Sequence, residues 1–111
     1  MSKRDIKLYI EDIKNSIKNI EDYTRDITFE EFAGDQKTID AVLRNFEIIG
    51  EAAIKVPDFL KEKYDFVPWG KMTGMRNKVI HEYFGIDTTI IWKTAKEDLV
   101  SLRDDLEKLS L

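Results

Sequence analysis

The sequence contains no cysteine. Disulfides and thiolate metal sites are therefore excluded. Its one histidine is His81, so a zinc site needing two histidines cannot come from one chain. Only two prolines and five glycines punctuate the 111 residues, which favours long helices over a turn-rich β fold. No apolar run approaches the roughly 18 residues that span a membrane. The opening Met1-Ser2-Lys3-Arg4-Asp5 meets charge at once and lacks the apolar stretch of a signal peptide. A cytoplasmic location with no membrane association is expected. No repeat, low-complexity tract or linker divides the chain, so residues 1–111 are expected to form a single domain.

What is present is an ordinary globular mixture, 42% apolar and 36% charged, too apolar for disorder. The formal net charge of −4 argues against nucleic-acid binding through bulk charge. The distribution is more informative. Between Trp69 and His81 lie Lys71, Arg76 and Lys78 and no acid, whereas Glu97 to Leu111 carries five acids against two bases. A small basic island sits in an acidic protein.

Apolar periodicity predicts the elements. Ile6, Tyr9, Ile10, Ile13, Ile17 and Ile20 recur at three- and four-residue steps, so Ser2 to Tyr23 reads as an amphipathic helix. Thr28 with Glu31 forms a capping box for a short helix with Phe29 and Phe32 inward, ended by Gly34. Ile39, Val42, Leu43, Phe46, Ile49 and Ala53 define a second long helix that stops before Pro57. Asp58 to Tyr64 adds a turn or two. Pro68 suits the first position of a third long helix reaching Tyr83 or Phe84. Gly85 is the expected left-handed stop, with Ile86 folding back on the helix end. Asp87 caps a last helix striped by Ile91, Ala95, Leu99, Leu102, Leu106 and Leu109. The expected fold is all-α: a four-helix, mostly antiparallel bundle with one or two short extra helices.

Chemistry concentrates in Met75-Arg76-Asn77-Lys78-Val79-Ile80-His81-Glu82-Tyr83. An imidazole moves protons near neutral pH, and a guanidinium clamps phosphate oxygens. Together they are a minimal kit for cleavage of an RNA phosphodiester that requires no metal. The histidine deprotonates the 2′-OH, and the arginine stabilises the charge growing on phosphorus. Arg76 and His81 are five residues apart, about 140° around an ideal helix, so one helix does not obviously converge them. Asn77 shares a face with His81, and Tyr83 shares one with Arg76. Transesterification also needs an acid for the leaving 5′-oxygen. A two-fold homodimer would supply a second histidine across one cleft.

On the second helix Asp40, Arg44, Glu47 and Glu51 fall on one side. Such a stripe is ordinarily a solvated face. The alternative is that it lines a cleft opposite the third helix and holds Arg76 or His81 by hydrogen bonds. Arg44, Glu51, Asn77 and Lys78 are thus the candidate supporting or phosphate-contacting residues. Gly50, costly inside a helix by about 1 kcal/mol, suggests close approach of another helix, and Gly74 invites the same reading.

The string Arg76-Asn77-x3-His81-x-Tyr83 matches the R-x4-H-x-Y signature of the HEPN superfamily, specifically its HepT-type toxins. Val67-Pro68-Trp69 ahead of the helix and Phe84-Gly85-Ile86-Asp87 after it resemble the family's surroundings, as does Arg44 to Ala52 upstream. The resemblance spans nearly the whole chain. It implies a HEPN-like bundle that dimerises and cleaves RNA without metal or cofactor, with Arg76 and His81 as the catalytic pair. It further implies a minimal nucleotidyltransferase antitoxin as partner, which silences the toxin by transferring AMP to the signature tyrosine, here Tyr83. Two other readings compete: a non-catalytic nucleotide- or RNA-binding module, and a structural partner of a nucleotidyltransferase.

Overall fold

The computed structural model describes residues 1–111 and contains only helices, turns and short connections. Helix α1 spans Lys3–Thr24, α2 Phe29–Ala33, α3 Gln36–Lys55, α4 Asp58–Lys63 and α5 Trp69–Glu82. A 3-10 turn, Tyr83–Gly85, closes α5. The last rod consists of α6, Thr88–Lys93, a π-helical turn over Thr94–Asp98, and α7, Leu99–Glu107. No helix is long and apolar enough to cross a membrane.

Local chemistry explains where most helices begin. Ser2 and Asp5 form a capping box at the start of α1, and Thr28 and Glu31 form the expected one at α2. The Asp35 side chain accepts from the Thr38 amide to start α3, and Asp87 accepts from the Thr89 amide to start α6. Pro68 occupies the cap of α5 rather than its first turn, because Trp69 already begins the helix. Trp69 is buried and its indole N–H donates to the Tyr64 carbonyl at 3.0 Å, fixing the entry into α5.

The order of packing is α5 against α3, α3 against α1, and α1 against the last rod. All three pairs run antiparallel. Asn19 donates to Asn45 while Lys55 sits over the ring of Tyr9, so α1 and α3 are opposed. Asp40 meets Tyr83 and Glu51 meets Arg76 between α3 and α5. Lys96 donates to the Thr24 carbonyl, whereas Leu109 and Leu111 lie beside Lys7 and Ile10 at the other end of α1. One contiguous cluster of 25 buried residues runs through the layers, with Ile13, Ile17, Ile20, Phe32, Ile49 and Leu106 fully enclosed. The all-α bundle is as the periodicity indicates.

Three local readings need correction. Gly85 does not adopt a left-handed conformation, since no glycine has positive φ. Glu82, at φ −132° and ψ 24°, leaves the helix first and a 3-10 turn follows. The last helix is interrupted by its π turn. Ile91, Ala95 and Leu99 are separated by two successive four-residue steps, which overshoot the 3.6-residue repeat, and the wider turn absorbs that drift and keeps all three buried. Nothing lies within 4 Å of a Cβ built at Gly74, so that glycine marks no close approach.

Candidate active site

The site lies along the seam between α3 and α5, and Gly50 sets its depth. A Cβ placed at Gly50 would collide with the Cβ of Arg76 and stand 2.8 Å from the Met72 carbonyl oxygen. Only glycine lets the two backbones approach this closely. The contact draws Arg76 against α3, where its Nε donates to Glu51 Oε1 at 2.5 Å. Its Nη1 donates to Asn77 Oδ1 at 2.9 Å. Two acceptors therefore fix the guanidinium plane, while the Nη2 amino group has no partner in the chain. A guanidinium held this way presents its outer edge to an oxyanion without having to be ordered on binding.

Asn77 is exposed and four residues before His81, so the two share a face of the helix. By accepting from Nη1 it turns the head of Arg76 toward that face. Arg76 and His81 themselves do not converge. The α-helix continues from Arg76 through His81, which leaves the two about 140° apart around the axis. His81 is exposed and joins none of the chain's side-chain hydrogen bonds, leaving both ring nitrogens open to a ligand.

Tyr83 is half-buried at the end of the seam, where its hydroxyl donates to Asp40 Oδ1 at 2.5 Å. Asp40 Oδ1 also accepts from Gln36 Nε2 at 2.8 Å. The carboxylate beside it, helped by partial burial, pushes the Tyr83 phenol up to about 12. The same hydrogen bond, followed by that from Gln36, holds Asp40 below the usual carboxylate range. Tyr83 and Arg76 both face α3, as their spacing indicates. Their anchors there, Asp40 and Glu51, are three helical turns, about 16 Å, apart.

The supporting residues divide. Glu51 binds Arg76 itself, so it is a holder of the guanidinium and not a phosphate contact. Asn77 links Arg76 to the His81 face. Lys78 is exposed. Arg44 is largely exposed and only 3.8 Å from Glu47, with no link to α5. It stands between Asp40 and Glu51 on the stripe that borders the seam. Asp40 belonged to that stripe by spacing, but its bond to Tyr83 depends on the 3-10 turn and was not legible from periodicity.

Residues 13–109 match the family model described as Ribonuclease HepT-like. The chain belongs to this family. Similar relatives span more than nine-tenths of its length. A probable ribonuclease HepT of Thermococcus cleftensis is 50% identical over 96% of this chain and 97% of its own. A Methanocaldococcus jannaschii protein named as an RNase candidate is 40% identical over 98% of this chain and 94% of its own. A Caldanaerobacter subterraneus RNase candidate is 37% identical over 91% and 90%. No solved structure matches the chain. In this HepT-like chain the R-x4-H-x-Y residues thus sit on one helical segment, two of them tied to α3 and His81 facing solvent.

Proposed function

We propose that this chain is a metal-independent endoribonuclease that cleaves RNA by 2′-OH transesterification, as the toxin of a HepT-type toxin–antitoxin pair. The observation that carries the reading is the segment itself: an exposed His81 and, on the same helix, a guanidinium oriented by Glu51 and Asn77, in a chain of the HepT-like ribonuclease family. The imidazole takes the proton from the 2′-oxygen, which attacks the adjacent phosphorus. The P–O5′ bond breaks, leaving a 2′,3′-cyclic phosphate and a 5′-hydroxyl. Arg76 stabilises the charge on the phosphoryl oxygens through its free Nη2 edge. Lys78 and Arg44, both exposed, hold flanking phosphates.

One chain supplies one imidazole, so the proton for the leaving oxygen comes from a second copy across a two-fold axis. Exposed Ile80, 44% accessible and next to His81, gives such a contact an apolar element. A minimal nucleotidyltransferase is the antitoxin partner, and AMP transfer to the Tyr83 hydroxyl silences the site. The adenylate adds bulk and an anionic phosphate two residues from His81.

The test is incubation of the wild type and His81→Ala with mixed tRNA and mRNA in EDTA, after intact mass shows Tyr83 to be unmodified. Cleavage by the wild type alone, with 2′,3′-cyclic phosphate ends, is expected. Equal cleavage by His81→Ala removes the catalytic assignment.

A further inference from the structure

Beside the Asp40–Tyr83 bond lies a cavity of about 390 Å³, within the range of small-molecule sites, which begins near 300 Å³. Leu43, Ile86 and Ile91 give it an apolar floor, and Gln36, Asp40 and Thr88 a polar edge. Phe84 stands at its rim fully exposed, at 100%. Its ring meets Tyr83 edge to face, with centroids 5.2 Å apart, so one phenyl is propped by another while remaining open to solvent. Asp40 Oδ1 is already occupied by both Tyr83 and Gln36, whereas Oδ2 accepts from no group in the chain.

We propose that this cavity is a nucleobase pocket that receives one base of the RNA substrate, stacked on Phe84 and read by Asp40 Oδ2. The assignment rests on the ribonuclease reading above. Apolar walls and an exposed aromatic ring suit the face of a base, whichever base it is. A carboxylate repels phosphate but accepts from an exocyclic amino group. The nucleotide therefore enters base first and leaves its phosphate outside. Adenine, cytosine and guanine offer an exocyclic amino donor to Oδ2, whereas the one donor on uracil's pairing edge, N3–H, lies between two carbonyls that the carboxylate repels. Tyr83 and Phe84 follow His81 by two and three residues, so the pocket lies at the His81 end of α5 rather than at its start.

The experiment is an NMR titration of unmodified protein with AMP, CMP, GMP and UMP, none of which has a scissile bond, following the ring signals of Tyr83 and Phe84. Saturable shifts are expected for the three amino-bearing nucleotides, with UMP weaker by about tenfold. Phe84→Ala weakens all binding by about tenfold. Asp40→Asn keeps an acceptor for Tyr83 but places a donor amide at the second position, so the preference moves toward UMP. On RNA, Phe84→Ala raises KM by a similar factor and leaves kcat in place. Equal binding of all four nucleotides, no saturable shift, or cleavage with unaltered KM in Phe84→Ala would each overturn the pocket. So would conversion of a dimer to a monomer by Phe84→Ala in light scattering, which assigns the ring to a contact between copies. Base-selective binding with no RNA cleavage by the wild type overturns the ribonuclease reading instead, and with it the substrate named for the pocket.

Discussion

Helix α3 packs most extensively against two helices, α1 and α5, and meets them in different ways. Toward α1 the contact is dry and apolar: Ile10, Ile13, Ile17 and Ile20 are each no more than 2% exposed, and Asn19 to Asn45 is the polar link. Toward α5 it is a glycine seat flanked by two polar ties, Glu51 to Arg76 and Asp40 to Tyr83. Helix α5 buries only Trp69, Met72 and Val79. Area removed from water stabilises the first interface. Close backbone approach orients side chains in the second, and its partly exposed ion pair contributes little to stability. One helix thus separates what holds the bundle together from what arranges the reactive groups.

That contrast predicts two kinds of failure. Ile13→Ala should cost about 2–5 kcal/mol through lost burial and a residual cavity, read as a fall in the urea midpoint. Cleavage per folded molecule should be retained. An activity loss larger than the loss of folded protein would mean that the two interfaces are not separable.

Gly50→Ala tests the other face. The added methyl must displace Arg76 or the Met72 carbonyl, at about 1–3 kcal/mol by overpacking, and it should remove cleavage in the protein that remains folded. Gly74→Ala is the control on the opposing helix. With nothing within 4 Å of its Cβ, that change should stabilise by about 0.5–1 kcal/mol and leave the seam intact. Equal behaviour of the two variants in melting and cleavage would dissolve the distinction.

A smaller effect is expected from Glu51→Gln. The pair it weakens is 28% and 44% exposed on its two sides, so stability should change by less than about 1 kcal/mol. Cleavage should fall by roughly tenfold to a hundredfold, because the guanidinium loses its fixed orientation. A large melting shift with unaltered kcat would make Glu51 a structural residue.

These expectations also mark how far the sequence could be read. Gly50 was legible because a glycine inside a strong helical stripe needs a reason, and close approach is the usual one. Glu51 was legible only in part: its spacing put it on one stripe with Asp40 and Arg44, ordinarily a solvated face, and a cleft facing the third helix was the alternative. Gly74 shows the limit of the same logic: it is an exposed helix residue whose neighbours no pattern reveals. The R-x4-H-x-Y segment was visible in full, but its tie at Tyr83 was not. That bond depends on Glu82 leaving the helix and on which carboxylate of α3 then lies opposite, and both are tertiary outcomes. The π turn had a trace in the two four-residue steps from Ile91 to Leu99, although a straight helix with a slightly rotated stripe fits the same letters. Full exposure of Phe84 had no signal, since an aromatic next to Tyr83 reads as packing.

The smallest effect concerns pH and separates the two ends of the seam. Asp40 is held below its ordinary range, so its contribution is complete above the unfolded carboxylate pKa and is lost as pH falls through the folded value. Tyr83 is raised from 10.0 to about 12, so its contribution is complete below the unfolded phenol value and is lost as pH rises through about 12. The tie is therefore closed across the neutral range and opens only in acid or strong alkali. Phenolate absorbance should show one of the four tyrosines ionising after the rest. Tyr83→Phe should delete that late step, and Asp40→Asn should return it toward 10.0. If no tyrosine lags in the wild type, the Asp40 bond does not hold in solution. If one does lag, a change in cleavage rate between pH 5 and 8 comes from a group other than this tie.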